Sequence, residues 1–289
     1  MEPLASWRSG PARKRLLHDI DELVESLPPA ERIATFDNDG TLWCERPAYA
    51  QAYFLIDRWR EMARTDSTMR ERQPWRAAVD GDDAYFADLY AHAGEIIAGV
   101  GSAFAGWTTA EFDAATREFF DTAKHPRFAV PHHRLVYQPM RELIELLVAR
   151  DFAVFIVTGG GRDFVRVVAE EIYGLPRHHV IGSSAVLEWT DGELRRRAEL
   201  SQPFDDGPGK PVHIFDRIGR PPALAVGNSD GDIEMLTMAR SAVLLHHDDA
   251  DREYAYDTGA VRALALAADQ GWQIISMRDD FAQVFGFED

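Results

Sequence analysis

Five short runs of this 289-residue chain are apolar almost without interruption: RIATFD (32–37), FAVFIVT (152–158), PALAVGN (222–228), SAVLLHH (241–247) and WQIISM (272–277). A strand with one wet face alternates apolar and polar residues. A run without alternation suits a strand covered on both faces, as in a parallel sheet. Between these runs lie segments with helical spacing: QPMRELIELLVAR (138–150), RDFVRVVAEEIYG (162–174), DGDIEMLTMAR (230–240) and AVRALALAADQG (260–271). Strand and helix in alternation predict an α/β fold with a doubly wound parallel sheet. A leading helix is expected over 16–27, ended by Pro28 and Pro29.

One stretch breaks the alternation. Residues 46–130 contain no convincing strand and carry Trp, Tyr, Phe, Ala and Arg at helical spacing, as in YAQAYFLIDRWREMAR. The expected organisation is therefore a core domain made of 1–45 and 131–289, with a helical domain, 46–130, inserted directly after the first strand. A second irregularity covers 180–200, where Asp191-Gly192 between alternating residues signals a β-hairpin.

Charge narrows the class. With 48 acidic and 31 basic residues the net charge is −17, a field that repels nucleic acid and anionic membrane surfaces. The basic runs RKR (13–15) and RRR (195–197) lack interleaved aromatics and read as solvated faces. No apolar run approaches the ~20 residues that span a bilayer. The first residues lack the apolar stretch of a signal peptide, so a cytoplasmic location is expected, with a processed mature form left open. The single cysteine, Cys44, excludes an intramolecular disulfide and fits a reducing compartment.

In open α/β sheets, ligands bind outside the carboxyl ends of the strands. After the first strand come Asp37 and Asp39, two apart and so on one side of an extended chain. Two such carboxylates can divide the work of nucleophile and general acid, and their mutual repulsion favours a shared proton or a bound cation. By themselves they fit a turn or a helix cap equally well. After the second strand, Thr158 offers a hydroxyl and Gly159, Gly160 and Gly161 allow close backbone approach to an anion. A dinucleotide fingerprint fails at Phe164, and a P-loop before Lys210 fails at Phe204 and Pro211. Lys210 is one of three lysines in a chain that otherwise uses arginine, and a compact ammonium suits a phosphate. After the third strand, Asn228, Asp230 and Asp232 supply hard oxygen donors of the kind magnesium takes, or cap the next helix. The pairs His132-His133, His178-His179 and His246-His247 lack the i, i+4 spacing of metal ligands; only the last ends a strand on the presumed active face.

Taken together, DNDGT (37–41), Thr158, Lys210 and GNSDGD (227–232) resemble the four ordered motifs of the haloacid dehalogenase-like hydrolase superfamily. The resemblance runs over 33–240. It implies a Rossmann-like core with a helical C1 cap, as in the phosphoserine phosphatase-like branch. It also implies roles. Asp37 would be the nucleophile that becomes an aspartyl-phosphate, and Asp39 the general acid and base. Thr158, with the Gly159 and Gly160 backbone, would hold phosphoryl oxygens, and Lys210 would neutralise charge. Mg2+ would be held by Asp37, the Asp39 carbonyl, Asn228 and Asp232. Glu45 lies near where phosphoserine phosphatases place a glutamate facing the substrate amine. Arg46, Arg58, Arg60 and Arg64, and the aromatics Trp43, Tyr49, Tyr53, Phe54 and Trp59, are further candidates for substrate contact. The pattern departs at Asn228, an uncharged amide where the family has an acid, which implies weaker magnesium affinity. The expected activity is magnesium-dependent hydrolysis of a small phosphate ester. A phosphotransferase and a non-catalytic phosphate binder stay open. The metal-free dehalogenase is disfavoured because that branch generally lacks the second aspartate. Substrate and oligomeric state are left open.

Overall fold

The computed structural model describes residues 4–87 and 91–287. Eight strands form among the described residues: β1 (Ile33–Phe36), β2 (Ala153–Gly161), β3 (Val180–Ser183), β4 (Ala185–Thr190), β5 (Glu193–Leu200), β6 (Leu224–Gly227), β7 (Ser241–His246) and β8 (Gln273–Ser276). Six of them build one sheet in the order β3-β2-β1-β6-β7-β8. The pairs β1–β2, β1–β6, β6–β7 and β7–β8 are parallel. All four residues of β1 and of β6 are buried, which explains why neither alternates in sequence.

Register brings the strand ends together. Phe36 lies opposite Ile156 of β2 and Val226 of β6, and the Asp37 N–H donates to the Val226 carbonyl (2.9 Å). The chain leaves β1 toward β2 on one side and returns to β6 on the other. That reversal is the topological switch at which open α/β sheets form their crevice.

Helices cover the sheet with apolar stripes. Gln138–Ala149 starts with Pro139 in its first turn, where a missing N–H costs nothing, and buries Met140, Leu143, Ile144 and Leu147. Each fully buried aliphatic side chain contributes roughly 1.5–3 kcal/mol relative to exposure. The leading helix spans Pro11–Ser26 and buries Leu16, Ile20 and Leu23. Three features differ from expectation. The pattern over 162–174 breaks into Arg162–Arg166 and Ala169–Tyr173. Edge strand β3 falls where only a hairpin is legible. The helix Gly209–Ile218 has no sequence signal, because it opens on Gly-Lys-Pro and leaves Val212 and Phe215 exposed.

The chain forms two compact units. The first comprises Met1–Arg46, Lys124–Gly182 and Pro203–Asp289, and holds the six-stranded sheet. The second comprises Pro47–Ala123 and Ser183–Gln202, so the β4–β5 hairpin belongs with the helical insertion. Asp191 and Gly192 turn that hairpin with φ of +53° and +84°. The hairpin joins the helices through Gly106 N–H to Arg196 O (2.7 Å) and Arg196 N–H to Trp107 O (2.8 Å). Phe54 stacks on Phe104 (5.0 Å) and packs against Phe112 and Phe119 at the centre of the helical unit. Among the described residues, no helix is long and apolar enough to cross a membrane.

Candidate active site

The carboxyl ends of β1, β2 and β6 place Asp37, Thr158 and Asn228 side by side, with Lys210 reaching them from the first turn of Gly209–Ile218. Lys210 is only 2% exposed. Its Nζ donates to Asp37 Oδ1 (2.6 Å), Asp232 Oδ1 (2.6 Å) and the Val157 carbonyl (3.0 Å). Burial works against the ammonium, but the charges of Asp232, Asp37 and Asp205 outweigh it and hold the lysine firmly protonated. Asp37 is pushed up, first by burial and then by the charge of Asp232, with Lys210 opposing. Asp205, fully buried beside the lysine, is pushed up to about 7 chiefly by burial. Four acids thus surround one lysine: Asp37, Asp39, Asp205 and Asp232. A further positive charge would complete the set.

Asp39 stands on the loop that leaves β1. Burial raises its carboxyl above the ordinary value, while contacts from Trp43, Lys210, Asn38 and Thr158 oppose. The direction of that shift suits a carboxyl that acts as an acid. Trp43 Nε1 donates to Asp39 Oδ1 (2.7 Å), and the Gly40 N–H donates to the Trp43 carbonyl (2.9 Å). Gly40 bends the chain here at φ +76°. A Cβ at that position would fall 2.1 Å from the Asn228 amide and 2.9 Å from Glu45 Cδ, so only glycine fits.

Thr158 is fully buried, and its Oγ1 accepts from the Gly160 N–H (3.0 Å). Gly159 is exposed, β2 runs on through Gly161, and Gly161 is also the N-cap of the helix Arg162–Arg166. Asp232 Oδ2 accepts from the N–H groups of Asn228 (3.0 Å) and Ser229 (2.9 Å) and from Ser229 Oγ (3.1 Å). Both oxygens of Asp232 are therefore engaged, one on Lys210 and one on the loop after β6. Asp230 turns away, and its Oδ1 accepts from the Ala263 N–H (2.8 Å).

The Asn228 amide faces three oxygens: the Asp39 carbonyl (3.1 Å), Asp37 Oδ2 (3.3 Å) and Thr41 Oγ1 (3.0 Å). With Nδ2 toward them it donates, and the cluster is satisfied without an ion. With Oδ1 toward them it accepts from Thr41 Oγ1, and three oxygens of Asp37, Asp39 and Asn228 converge with no hydrogen among them. Adjacent oxygens in an octahedral Mg2+ shell lie about 3 Å apart. The cluster therefore fits that ion. Among the described residues no group of three His, Cys, Asp or Glu side chains could hold a metal; this donor set mixes carboxylate, main-chain carbonyl and amide oxygens instead.

Glu45 is buried and its Oε1 accepts from the Tyr256 hydroxyl (2.7 Å); burial lifts it to about 7. Arg46 lies over the Tyr256 ring (4.1 Å). Of the other arginines singled out, Arg58 and Arg60 are engaged inside the helical unit, on the carbonyls of Ala103 and Ala78. Trp59 donates to the Gly99 carbonyl, so it too serves packing. Several residues of the site carry no sequence signal. Tyr173 donates to Asn38 Oδ1 (3.2 Å), and Glu253 is a fully buried acid within DDADREYAYD. His247, which ends the run SAVLLHH, is the one with a hint: a histidine pair after an apolar strand.

Comparison with known proteins bears on family and fold. The family model described as haloacid dehalogenase-like hydrolase matches residues 34–237. A search of curated proteins finds no match. Among solved structures, a protein of unknown function from Bordetella pertussis aligns at TM-score 0.55 and 17% identity, covering 85% of this chain and 98% of its own. A functionally unknown protein from Anaerococcus prevotii aligns at TM-score 0.56 and 15% identity, covering 91% and 92%. A phosphoserine phosphohydrolase-like protein from Francisella tularensis aligns at 0.45 and 14%, covering 81% and 92%. At these identities the likeness bears on fold alone.

Proposed function

Because the chain belongs to the haloacid dehalogenase-like hydrolase family, we propose that it is a magnesium-dependent phosphomonoester hydrolase acting on a small phosphorylated molecule. The observation that carries this reading is the buried lysine 2.6 Å from both Asp37 and Asp232, beside a second acid with a raised pKa. Such a site offers a nucleophile, a proton donor and fixed positive charge within one small volume. Phosphoryl transfer asks for little else than positioning and charge neutralisation.

An Asp37 carboxylate oxygen attacks phosphorus as the bond to the leaving oxygen breaks, and Asp39 gives its proton to that oxygen. In the second half, Asp39 takes a proton from water as the water oxygen bonds to phosphorus. The aspartyl–phosphorus bond then breaks, returning Asp37 and releasing phosphate. Lys210 balances charge on Asp37 and the transferring group throughout. Thr158 and the exposed Gly159 backbone orient phosphoryl oxygens. Asp37, the Asp39 carbonyl, Asn228 Oδ1 and Asp232 would hold Mg2+, which when bound would add positive charge at the transferring phosphoryl group. Asp232 orders Lys210 and the loop after β6, and its Oδ1, which accepts one hydrogen bond, keeps a lone pair for the ion. Glu45, close to Gly40 and lifted to about 7 by burial, faces substrate as a hydrogen-bonding group.

The test is a panel of phosphomonoesters, including an aryl phosphate, assayed with Mg2+ and with a chelator. Turnover is expected only with Mg2+, and Asp37→Asn should reduce it to background. Turnover that survives chelation overturns the metal assignment. Phosphate binding without turnover on any ester overturns the enzyme reading.

A further inference from the structure

The main-chain carbonyl of Gly40 is held from outside the catalytic loop by a buried histidine. His247 Nε2 lies 2.7 Å from Gly40 O. A carbonyl only accepts, so this nitrogen carries the hydrogen. His247 Nδ1 faces Glu253 Oε2 at 3.3 Å. The Glu253 carboxylate is in turn fully engaged: Oε2 accepts from the Tyr254 N–H (2.6 Å), and Oε1 accepts from Tyr137 OH (3.1 Å) and Cys44 Sγ (3.0 Å). Burial pushes Glu253 upward, but His247, Cys44 and Tyr254 outweigh it and leave the carboxyl below its ordinary value. Tyr256 stacks on the His247 ring (4.5 Å, 20°) and Tyr137 tilts against it (6.0 Å). Glu253 is 0% and His247 3% exposed. A buried polar pair of this kind is weak evidence for stability, and its best-attested use is to fix a geometry.

The geometry it fixes is that of Asp39. Residues 38–43 close into a ring: Leu42 N–H to Asn38 O (2.8 Å), Gly40 N–H to Trp43 O (2.9 Å), and Trp43 Nε1 to Asp39 Oδ1. The two ends of the loop are anchored by Tyr173 OH to Asn38 Oδ1 (3.2 Å), Tyr137 N–H to Leu42 O (2.9 Å) and Cys44 N–H to Leu135 O (3.0 Å). His247 holds its middle, at the carbonyl of the residue after Asp39. We propose that His247, backed by Glu253, is a positioning residue for Asp39: by holding the carbonyl of the next residue it aims the Asp39 carboxyl at the leaving oxygen. The inference rests on the phosphomonoesterase reading and on Asp39 as its acid.

A leaving-group series tests it. Turnover is measured for 2,4-dinitrophenyl, 4-nitrophenyl and phenyl phosphate, whose leaving oxygens need increasing help from an acid. Asp39→Ala is expected to steepen the dependence on leaving group. His247→Ala should steepen it in the same direction, lowering kcat/KM, which reads the steps up to loss of the leaving group, by roughly 10–100-fold on phenyl phosphate while that of the dinitrophenyl ester changes by less than about 3-fold. His247→Gln, whose amide N–H can reach the Gly40 carbonyl, should recover much of the loss, and Glu253→Gln should behave as a milder His247→Ala. These two variants keep the proposal testable if His247→Ala does not fold. A uniform fall across the three esters in folded His247 and Glu253 variants, with Asp39→Ala still steepening the series, overturns the positioning role alone. No steepening in Asp39→Ala itself, or no turnover of any ester, overturns the underlying reading and the inference with it.

Discussion

At residue 228 an amide stands where the family resemblance calls for a carboxylate, and its two ends make it suited to two states. With Nδ2 inward it hydrogen-bonds Asp37 Oδ2 and the Asp39 carbonyl, and with Oδ1 inward it would join them as a ligand of the proposed cation. A carboxylate could do only the second. Asn228→Asp should therefore move two quantities in opposite directions. The metal-free variant gains an acid beside Asp37 and loses a buried donor, so it should be less stable than the parent by roughly 1–3 kcal/mol. Its Mg2+ affinity should rise, so millimolar Mg2+ should lift its melting temperature more than the parent's. Thermal unfolding with chelator and with MgCl2 reads both. A chelated variant as stable as the parent would show that the amide does not satisfy the empty cluster.

Among the elements, those with strong periodicity are legible in the chain and those set by tertiary closure are not. Strands β1, β2, β6, β7 and β8 announce themselves because burial on both faces demands apolar runs. Strand β3 is four residues with a glycine at the edge of the sheet, too short to separate from the hairpin that follows. The helix carrying Lys210 has too few buried residues to show a stripe. The same contrast runs through the site: Asp37 and Asn228 follow strands, Thr158 lies late in β2 and Lys210 opens a helix, and their order along the chain brings them to attention. Glu253 sits in a charged stretch and owes its burial to contacts with distant Cys44 and Tyr137. The helical insertion shows how a legible element is finished by local chemistry. Thr108 Oγ1 accepts from the Glu111 N–H (3.1 Å) while Glu111 Oε2 accepts from the Thr108 N–H (2.7 Å), a reciprocal cap on Thr109–Thr122. Thr108→Ala should lower the unfolding free energy by about 1 kcal/mol in chemical denaturation. No change would mean that the first turn is held by packing instead.

For the whole molecule, the buried acids couple function to stability through pH. Glu45 titrates near 7 in the folded chain against an ordinary value of 4.5, chiefly because it is buried. Asp205 titrates near 7 against 3.8 for the same reason. Between those limits the unfolded chain has released protons that the folded chain keeps. The stabilisation is thus complete below the unfolded values and is lost as pH rises toward 7, on the order of 3 kcal/mol for each group. Glu253 works the other way: its folded carboxyl lies below 4.5, so its contribution is lost as pH falls through that lower value. The net charge of −17 adds repulsion on the alkaline side. Metal-free protein should therefore be most stable at about pH 4 and weaken steadily toward pH 7.5. Mg2+ should restore stability at pH 7.5 and little at pH 5, because protons compete with the ion for Asp37, whose carboxyl burial already pushes upward. Glu45→Gln isolates one contributor: an amide cannot titrate, so the variant's stability should fall less steeply than the parent's between pH 4.5 and 7. Parallel curves for parent and variant in chelator would mean that Glu45 ionises in the folded protein as freely as in the unfolded chain, and that its burial imposes no proton.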